Sequence, residues 1–289
     1  MVVVRRLDNR VSIGDVHPAV VAHRGASAHR AEHTLDAYAL ALEQGADGLE
    51  CDIRVTRDGQ LVCVHDRTVA RTSSGRGTVS AMELARLDEL DYASWHIELP
   101  ETADELMLDE ADTLEISARG VLRLETLLAL VADAPRSTRL FVETKHPVRY
   151  GGLVEAKLIA LLARHGLARP ASKEESPIVV MSFSSRAVRR VRQHSPHLPT
   201  VLLFNRTSAG RRRWSLPEWA DYAGPGIDLL RADPDFVARA AERGHQTYCW
   251  TVDDPADVRL CQRLGVRWVA TNKPGATRKV LQGTVGRTG

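Results

Sequence analysis

Lysine and aromatic side chains are scarce in this chain of 289 residues. There are 5 lysines against 34 arginines, and Phe, Trp and Tyr together make up 5%. A lysine inside a strand therefore needs a reason. Charge of one sign is missing too, because 39 basic and 37 acidic residues leave a formal balance of +2. That is too little for a dedicated nucleic-acid binder. No apolar run approaches the ~20 residues of a membrane span. Val2, Val3 and Val4 run straight into Arg5 and Arg6, which leaves no apolar stretch for a secretory signal. The four cysteines, Cys51, Cys63, Cys249 and Cys261, form no C-x-x-C pair and lie in apolar runs. They read as buried free thiols of a cytoplasmic protein. With 20 Gly and 13 Pro the chain is neither collagen-like nor low-complexity. At 44% hydrophobic it is not disordered, and it is long enough to bury a sizeable core.

What is present is a rhythm. Short β-branched runs predict strands at 20–22, 48–55, 61–64, 140–143, 178–182, 201–204, 227–230, 247–252 and 268–271. Between them, apolar residues at i, i+3, i+4 and i+7 predict helices at 34–44, 124–132, 153–165, 186–193, 234–243, 255–264 and 276–281. Asp233-Pro234 and Asp254-Pro255 read as helix starts, and Gly166, Gly244 and Gly265 as helix ends. About eight β-then-α units fit a closed (β/α)8 barrel, a TIM barrel, better than an open doubly wound sheet. Residues 66–119 break the rhythm, with a Ser-Ser-Gly-Arg-Gly cluster and seven acidic residues between Glu98 and Asp112. A structureless loop of that length is uncommon, so the segment predicts a small inserted subdomain over one barrel mouth. The expected layout is an extension over 1–18, a barrel over 19–283 with an insertion at about 67–119, and a tail over 284–289.

The chemistry-bearing residues fall at predicted strand ends, the catalytic face of a barrel. His23-Arg24-Gly25 follows the first strand, and His65-Asp66 ends the third apolar run. Residues i and i+2 of a strand share a face, so Glu50 and Asp52 point one way while Cys51 turns to the helix layer. The same spacing puts Glu143 and Lys145 on one face. Inward carboxylates repel unless a cation or proton lies between them. Three of them, with no zinc-type Cys/His spacing, suggest Mg²⁺ or Ca²⁺. Arg24 and Lys145 beside such an ion make a site for an anion, phosphate first. Two imidazoles complete an acid/base pair, and the set spells phosphoester hydrolysis. Each piece alone is more often structural: a lone His at a strand end is usually a hydrogen-bonded core residue. The joint occurrence on one face shifts the balance.

His23-Arg24-Gly25-Ala26-Ser27, Glu32-His33-Thr34, Glu50-x-Asp52, His65-Asp66 and Glu143-x-Lys145 together resemble the ordered motifs of the glycerophosphodiester phosphodiesterases. Trp250-Thr251-Val252 and the strand after Gly265 resemble the end of that family's domain, so the similarity spans roughly 19 to 275. The resemblance implies a TIM barrel with a small insertion after the second strand, one divalent metal, and cleavage of glycerophosphodiesters to glycerol 3-phosphate and an alcohol. It implies that Glu50, Asp52 and Glu143 are metal ligands, that His23 and His65 are the acid/base pair, and that Arg24 and Lys145 contact phosphate. It also implies two steps: attack by the substrate's own glycerol hydroxyl, then opening of the cyclic phosphate by water.

Two positions depart from the family pattern. His33 stands where Asn is usual, leaving helix capping to Thr34, and Asn272 stands where Asp is usual. If that last position caps the final helix, Asn replaces Asp at little cost. Phe183 and Trp250 are candidates for an apolar pocket wall. His29, His33, His96 and His245 read as structural or exposed, His146-Pro147 as a turn, and Arg211-Arg212-Arg213-Trp214 as a solvated turn. The expected partner is a small-molecule glycerophosphodiester, with no nucleic acid and no stable membrane association. A lysophospholipase D acting on lysolipids and a non-catalytic phosphodiester-binding barrel are the rival readings.

Overall fold

The β-branched runs become the staves of a barrel. This computed structural model describes residues 17–96, 119–148, 151–205 and 216–283. Its strands are β1 (Ala19–His23), β2 (Gly48–Val55), β3 (Leu61–Cys63), β4 (Arg139–Thr144), β5 (Ile178–Ser182), β6 (Thr200–Phe204), β7 (Tyr222–Pro225), β8 (Tyr248–Cys249) and β9 (Trp268–Thr271). All but β3 pair in parallel, in the order β7-β6-β5-β4-β2-β1-β9-β8. Parallel bridges Ala223–Thr247 and Gly226–Trp250 bring β7 and β8 together at the seam. The result is the nearly closed eight-stranded barrel expected of the sequence.

Alternation along each strand sorts the side chains into two layers. Val21, Phe141, Val179, Met181, Val201, Leu203, Tyr222, Tyr248 and Trp268 fill the barrel interior. Leu49, Cys51, Ile53, Leu140 and Val142 face outward against Tyr38, Ala41, Leu158 and Leu162 of the surrounding helices. Cys51 therefore does turn to the helix layer. The four cysteines are buried free thiols. Helices Leu124–Ala132 and Pro255–Leu264 match the periodicity residue for residue, the latter with Asp254 as N-cap, Pro255 in its first turn and Gly265 at φ +77° as C-cap. Thr34 caps helix Leu35–Glu43 by accepting from the Ala37 N–H at 3.2 Å.

Three expectations need correction. The run at 227–230 is not a strand but the start of helix Ile227–Ala232, and the strand is β7, four residues of Tyr-Ala-Gly-Pro. Neighbours decide this, not propensity. A Cβ at Gly224 would come within 2.7 Å of Leu203 and 2.8 Å of Val201, so the barrel at β7 needs a small residue that sequence rules count against a strand. The predicted strand 247–252 shortens to β8, although Val252 N–H still bonds the Ala270 carbonyl at 2.8 Å. The run at 61–64 is a strand but not a stave, since β3 lies antiparallel on β2.

After β3 the chain builds a small core of its own. Val62, Val64, Val69, Val79, Leu87, Leu90, Tyr92 and Val121 cluster around helix Leu84–Asp88 and the short turns Val79–Ala81 and Ser94–His96. The described part of the insertion is thus folded structure rather than loop. The acidic stretch from Glu98 to Asp112 and the Arg211–Trp214 turn lie outside the described residues. Among the described residues no helix is long and apolar enough to cross a membrane.

Candidate active site

Register places the polar residues. Across β1 and β2 His23 lies opposite Glu50, and across β2 and β4 Asp52 lies opposite Glu143. Gly25, at φ +87°, turns the chain just past His23. A Cβ there would meet Ala37 at 2.7 Å, so only glycine lets the loop lie on helix Leu35–Glu43.

Glu50, Asp52 and Glu143 are buried and can each present an oxygen within 4.8 Å of the others. Lys145 Nζ sits 3.0 Å from Glu143 Oε1 and 3.3 Å from Asp52 Oδ1. Burial, then the Asp52 charge, pushes Glu143 up to about 8 and Glu50 well above the usual carboxyl range. Asp52 behaves oppositely. Burial works against its charge, but the His33 hydrogen bond and the Arg24 and Lys145 charges hold it well below that range. Its Oδ1 makes no hydrogen bond although buried. Three converging carboxylates, one with a buried oxygen that makes an ion pair but no hydrogen bond, suit a hard divalent cation such as Mg²⁺ or Ca²⁺.

The two histidines are held differently. His23 Nδ1 lies 2.8 Å from Asn272 Oδ1. Asn272 is itself oriented by Asp253, to which its Nδ2 donates at 2.6 Å and its backbone N–H at 2.7 Å. With the amide so turned, Oδ1 faces His23, Nδ1 carries the proton, and Nε2 keeps its lone pair. Burial, then the Arg24 charge, drives His23 down to about 4. His65 Nδ1 instead contacts a carboxylate, Asp66 Oδ1, at 2.6 Å. Burial also lowers His65.

Arg24, at φ +59°, brings its Nε 3.0 Å from Asp52 Oδ2 and donates through Nη1 to Glu32 Oε1 at 3.1 Å. His23, Arg24, Glu50, His65, Glu143 and Lys145 share a cavity of about 220 Å³, walled by Met181, Phe183, Leu203, Tyr248 and Trp250. Phe183 is 44% exposed and meets Trp250 edge to face, ring centres 5.1 Å apart. A groove of about 370 Å³ between residues 78–81 and 147–154 is larger but is lined by neither carboxylate nor imidazole. The chemistry belongs to the smaller cavity.

Every site residue expected from the sequence reaches this place. Others were missed. His33, read as structural or exposed, is buried with Nε2 3.1 Å from Asp52 Oδ2 and Nδ1 2.8 Å from Tyr38 Oη. Tyr38 donates its hydroxyl hydrogen to the Glu50 carbonyl at 2.9 Å, and His33, held between Tyr38 and Asp52, orients that carboxylate. Its signal was its place in Glu-His-Thr, beside the first helix cap. Asn272 does not cap the last helix: Lys273 is the N-cap of Pro274–Gln282 and makes no side-chain cap. Asp66, Arg71, Glu32 and Asp253 act through neighbours; Glu32 and Asp66 stand inside the quoted motifs, whereas Arg71 and Asp253 carry no spacing signal.

Residues 23–276 match the model of the glycerophosphoryl diester phosphodiesterase family. A Mycobacterium tuberculosis protein named "Probable glycerophosphodiester phosphodiesterase 1" is 50% identical over 268 residues, covering 92% of this chain and 93% of that one. The Bacillus subtilis glycerophosphodiester phosphodiesterase is 34% identical over 266 residues, covering 91% and 86%. Among solved structures, an Oleispira antarctica phosphodiesterase in complex with the product sn-glycerol-3-phosphate shares the fold, with a TM-score of 0.75 at 22% identity over 92% of this chain and 97% of that one. The matched stretch runs from His23 at the end of the first strand to beyond the last one, and the chain belongs to the glycerophosphoryl diester phosphodiesterase family.

Proposed function

We propose that the chain hydrolyses deacylated phospholipids such as glycerophosphocholine to glycerol 3-phosphate and an alcohol, with one Mg²⁺ or Ca²⁺ held by Glu50, Asp52 and Glu143. The observation that carries this reading is the cavity that Glu50 and Glu143, with Asp52 buried beside them, share with two cations and two Nδ1-tethered histidines. A divalent cation bound there would neutralise the carboxylates and stabilise charge on the reacting oxygens. Arg24 and Lys145 bind the phosphoryl oxygens.

His23, partnered by an uncharged amide, is the neutral base that takes the proton of the glycerol hydroxyl through Nε2. His65, backed by the Asp66 carboxylate, is the acid that gives a proton to the leaving alcohol. The hydroxyl is already tethered beside phosphorus, so its attack to form a cyclic phosphate profits from effective molarities of ~10⁵ M or more. Water then opens the ring with the two roles reversed. Phe183 and Trp250 shield the cavity from solvent on the apolar side. Buried free thiols suit a cytoplasmic setting.

The test is turnover of glycerophosphocholine with added Mg²⁺ or Ca²⁺, followed by glycerol 3-phosphate release. Chelation abolishes turnover, and His23→Ala or His65→Ala lowers kcat by ~100-fold. Full activity in excess chelator would overturn the metal assignment. Binding without turnover would favour the carrier reading. The exposed Phe183 at the cavity mouth favours one second reading, a lysolipid substrate, and faster cleavage of lysophosphatidylcholine than of glycerophosphocholine would establish it.

A further inference from the structure

The insertion sends one side chain, Arg71, to the rim of the site. Its guanidinium grips Glu32 in a fork, Nη1 to Oε2 at 2.9 Å and Nη2 to Oε1 at 2.7 Å. From the same plane Nε donates to Asp66 Oδ2 at 2.6 Å. The far sides of both carboxylates are also in use. Asp66 Oδ1 contacts His65 Nδ1 at 2.6 Å, and Glu32 Oε1 accepts from Arg24 Nη1 at 3.1 Å. An unbroken chain of charge-assisted contacts thus runs from His65 through Asp66, Arg71 and Glu32 to Arg24.

We propose that Arg71 is a positioning residue that locks His65 and Arg24 into one unit, through Asp66 and Glu32 respectively. This rests on the proposed function above, in which His65 gives the proton and Arg24 binds phosphate. Only a guanidinium suits the place, because it offers donors in fixed planar directions to two carboxylates at once. A lysine ammonium carries its donors on a single atom and cannot match contacts made here from Nε, Nη1 and Nη2. The Glu32 side chain is 11% exposed and that of Arg71 45%, so the Glu32–Arg24 end of the chain is shielded while Arg71 in its middle meets water. Glu32 and Asp66 are each held down at about 2, with the Arg71 hydrogen bond the leading stabilising cause in both. Without Arg71, Asp66 is free to swing from His65 and Glu32 to draw Arg24 from the phosphate. The insertion then completes the site from outside the barrel rather than merely covering it.

The test uses the full chain with Mg²⁺ or Ca²⁺, measuring kcat and KM for glycerophosphocholine and, by calorimetry, the binding of sn-glycerol 3-phosphate. Small displacements of positioned groups cost up to ~100-fold. Asp66→Asn should lower kcat about tenfold or more with KM unchanged, whereas Glu32→Gln should raise KM and weaken product binding. Arg71→Ala should do both, Arg71→Lys should restore one parameter at most, and Glu32→Gln added to Arg71→Ala should raise KM no further. Thermal melts show whether a loss comes from unfolding, and Arg71→Gln replaces Arg71→Ala if the latter melts below assay temperature. Arg71→Ala with kcat and KM like those of the wild type, or Arg71→Lys restoring both, would overturn the proposal. His65→Ala with normal kcat would refute the acid assignment instead. The shift in product binding on Arg71→Ala then still decides the Arg24 arm.

Discussion

A carboxamide and a carboxylate make different histidines out of the same ring. His23 leans on Asn272, which Asp253 holds in one orientation, while His65 leans on Asp66. Burial and then the Arg24 charge keep His23 neutral down to about 4, because the uncharged amide and the Asp52 charge do not offset them. Asn272→Leu removes the acceptor and lets either ring nitrogen carry the proton. We expect kcat to fall by ~10- to 100-fold, the scale of a misplaced base, with little change in KM. Nitrogen NMR should show a mixture of ring tautomers at His23, assigned by its absence in His23→Asn. A single Nδ1–H tautomer with normal kcat in Asn272→Leu would show that Asn272 does not set the base.

Elements bring these residues together, and their local chemistry can be read in part from sequence. Glu50, Asp52, Glu143 and Lys145 were legible because strand alternation is rigid: a polar residue at i and i+2 must face the barrel interior when its apolar neighbours face helices. The loop after β1 is equally constrained. Gly25→Ala forces a left-handed backbone on alanine and a Cβ 2.7 Å from Ala37. Denaturant titration should show a loss of ~2–4 kcal/mol from strain plus overpacking. Stability within about 0.5 kcal/mol of the wild type would mean that the helix simply moves aside. Less legible was β7, whose Tyr-Ala-Gly-Pro is chosen by Val201 and Leu203 on the neighbouring strand β6. Least legible were His33, Arg71 and Asp253. Each acts through another side chain, His33 on Asp52, Arg71 on Asp66 and Glu32, and Asp253 on Asn272, and such contacts depend on how distant segments meet, which neither period nor spacing encodes.

At the scale of the molecule the site is a local liability that a bound cation would relieve. Glu50 is raised well above its ordinary value of 4.5 and Glu143 from 4.5 to about 8, so between those limits the folded chain binds more protons than the unfolded one. Stability from these groups is therefore present at low pH and lost as pH rises toward 8. His23 has the opposite sign. Lowered from 6.5 to about 4, it makes the unfolded chain bind more protons in that window, so its contribution grows as pH rises through it. The two effects oppose each other below 6.5, and from there to about 8 only the carboxyl loss remains. A divalent cation binds the ionised carboxylates and releases their protons, which cancels that loss. The gain in melting temperature on adding Mg²⁺ or Ca²⁺ to chelated protein should therefore widen between pH 5 and pH 8, the range set by the raised Glu143. Charges elsewhere in the molecule drop out of the difference. Glu143→Gln should flatten the trend, since an amide has no proton to release. A gain of equal size at every pH would mean that the three carboxylates are already ionised together without the metal, held apart by Lys145 and Arg24 alone.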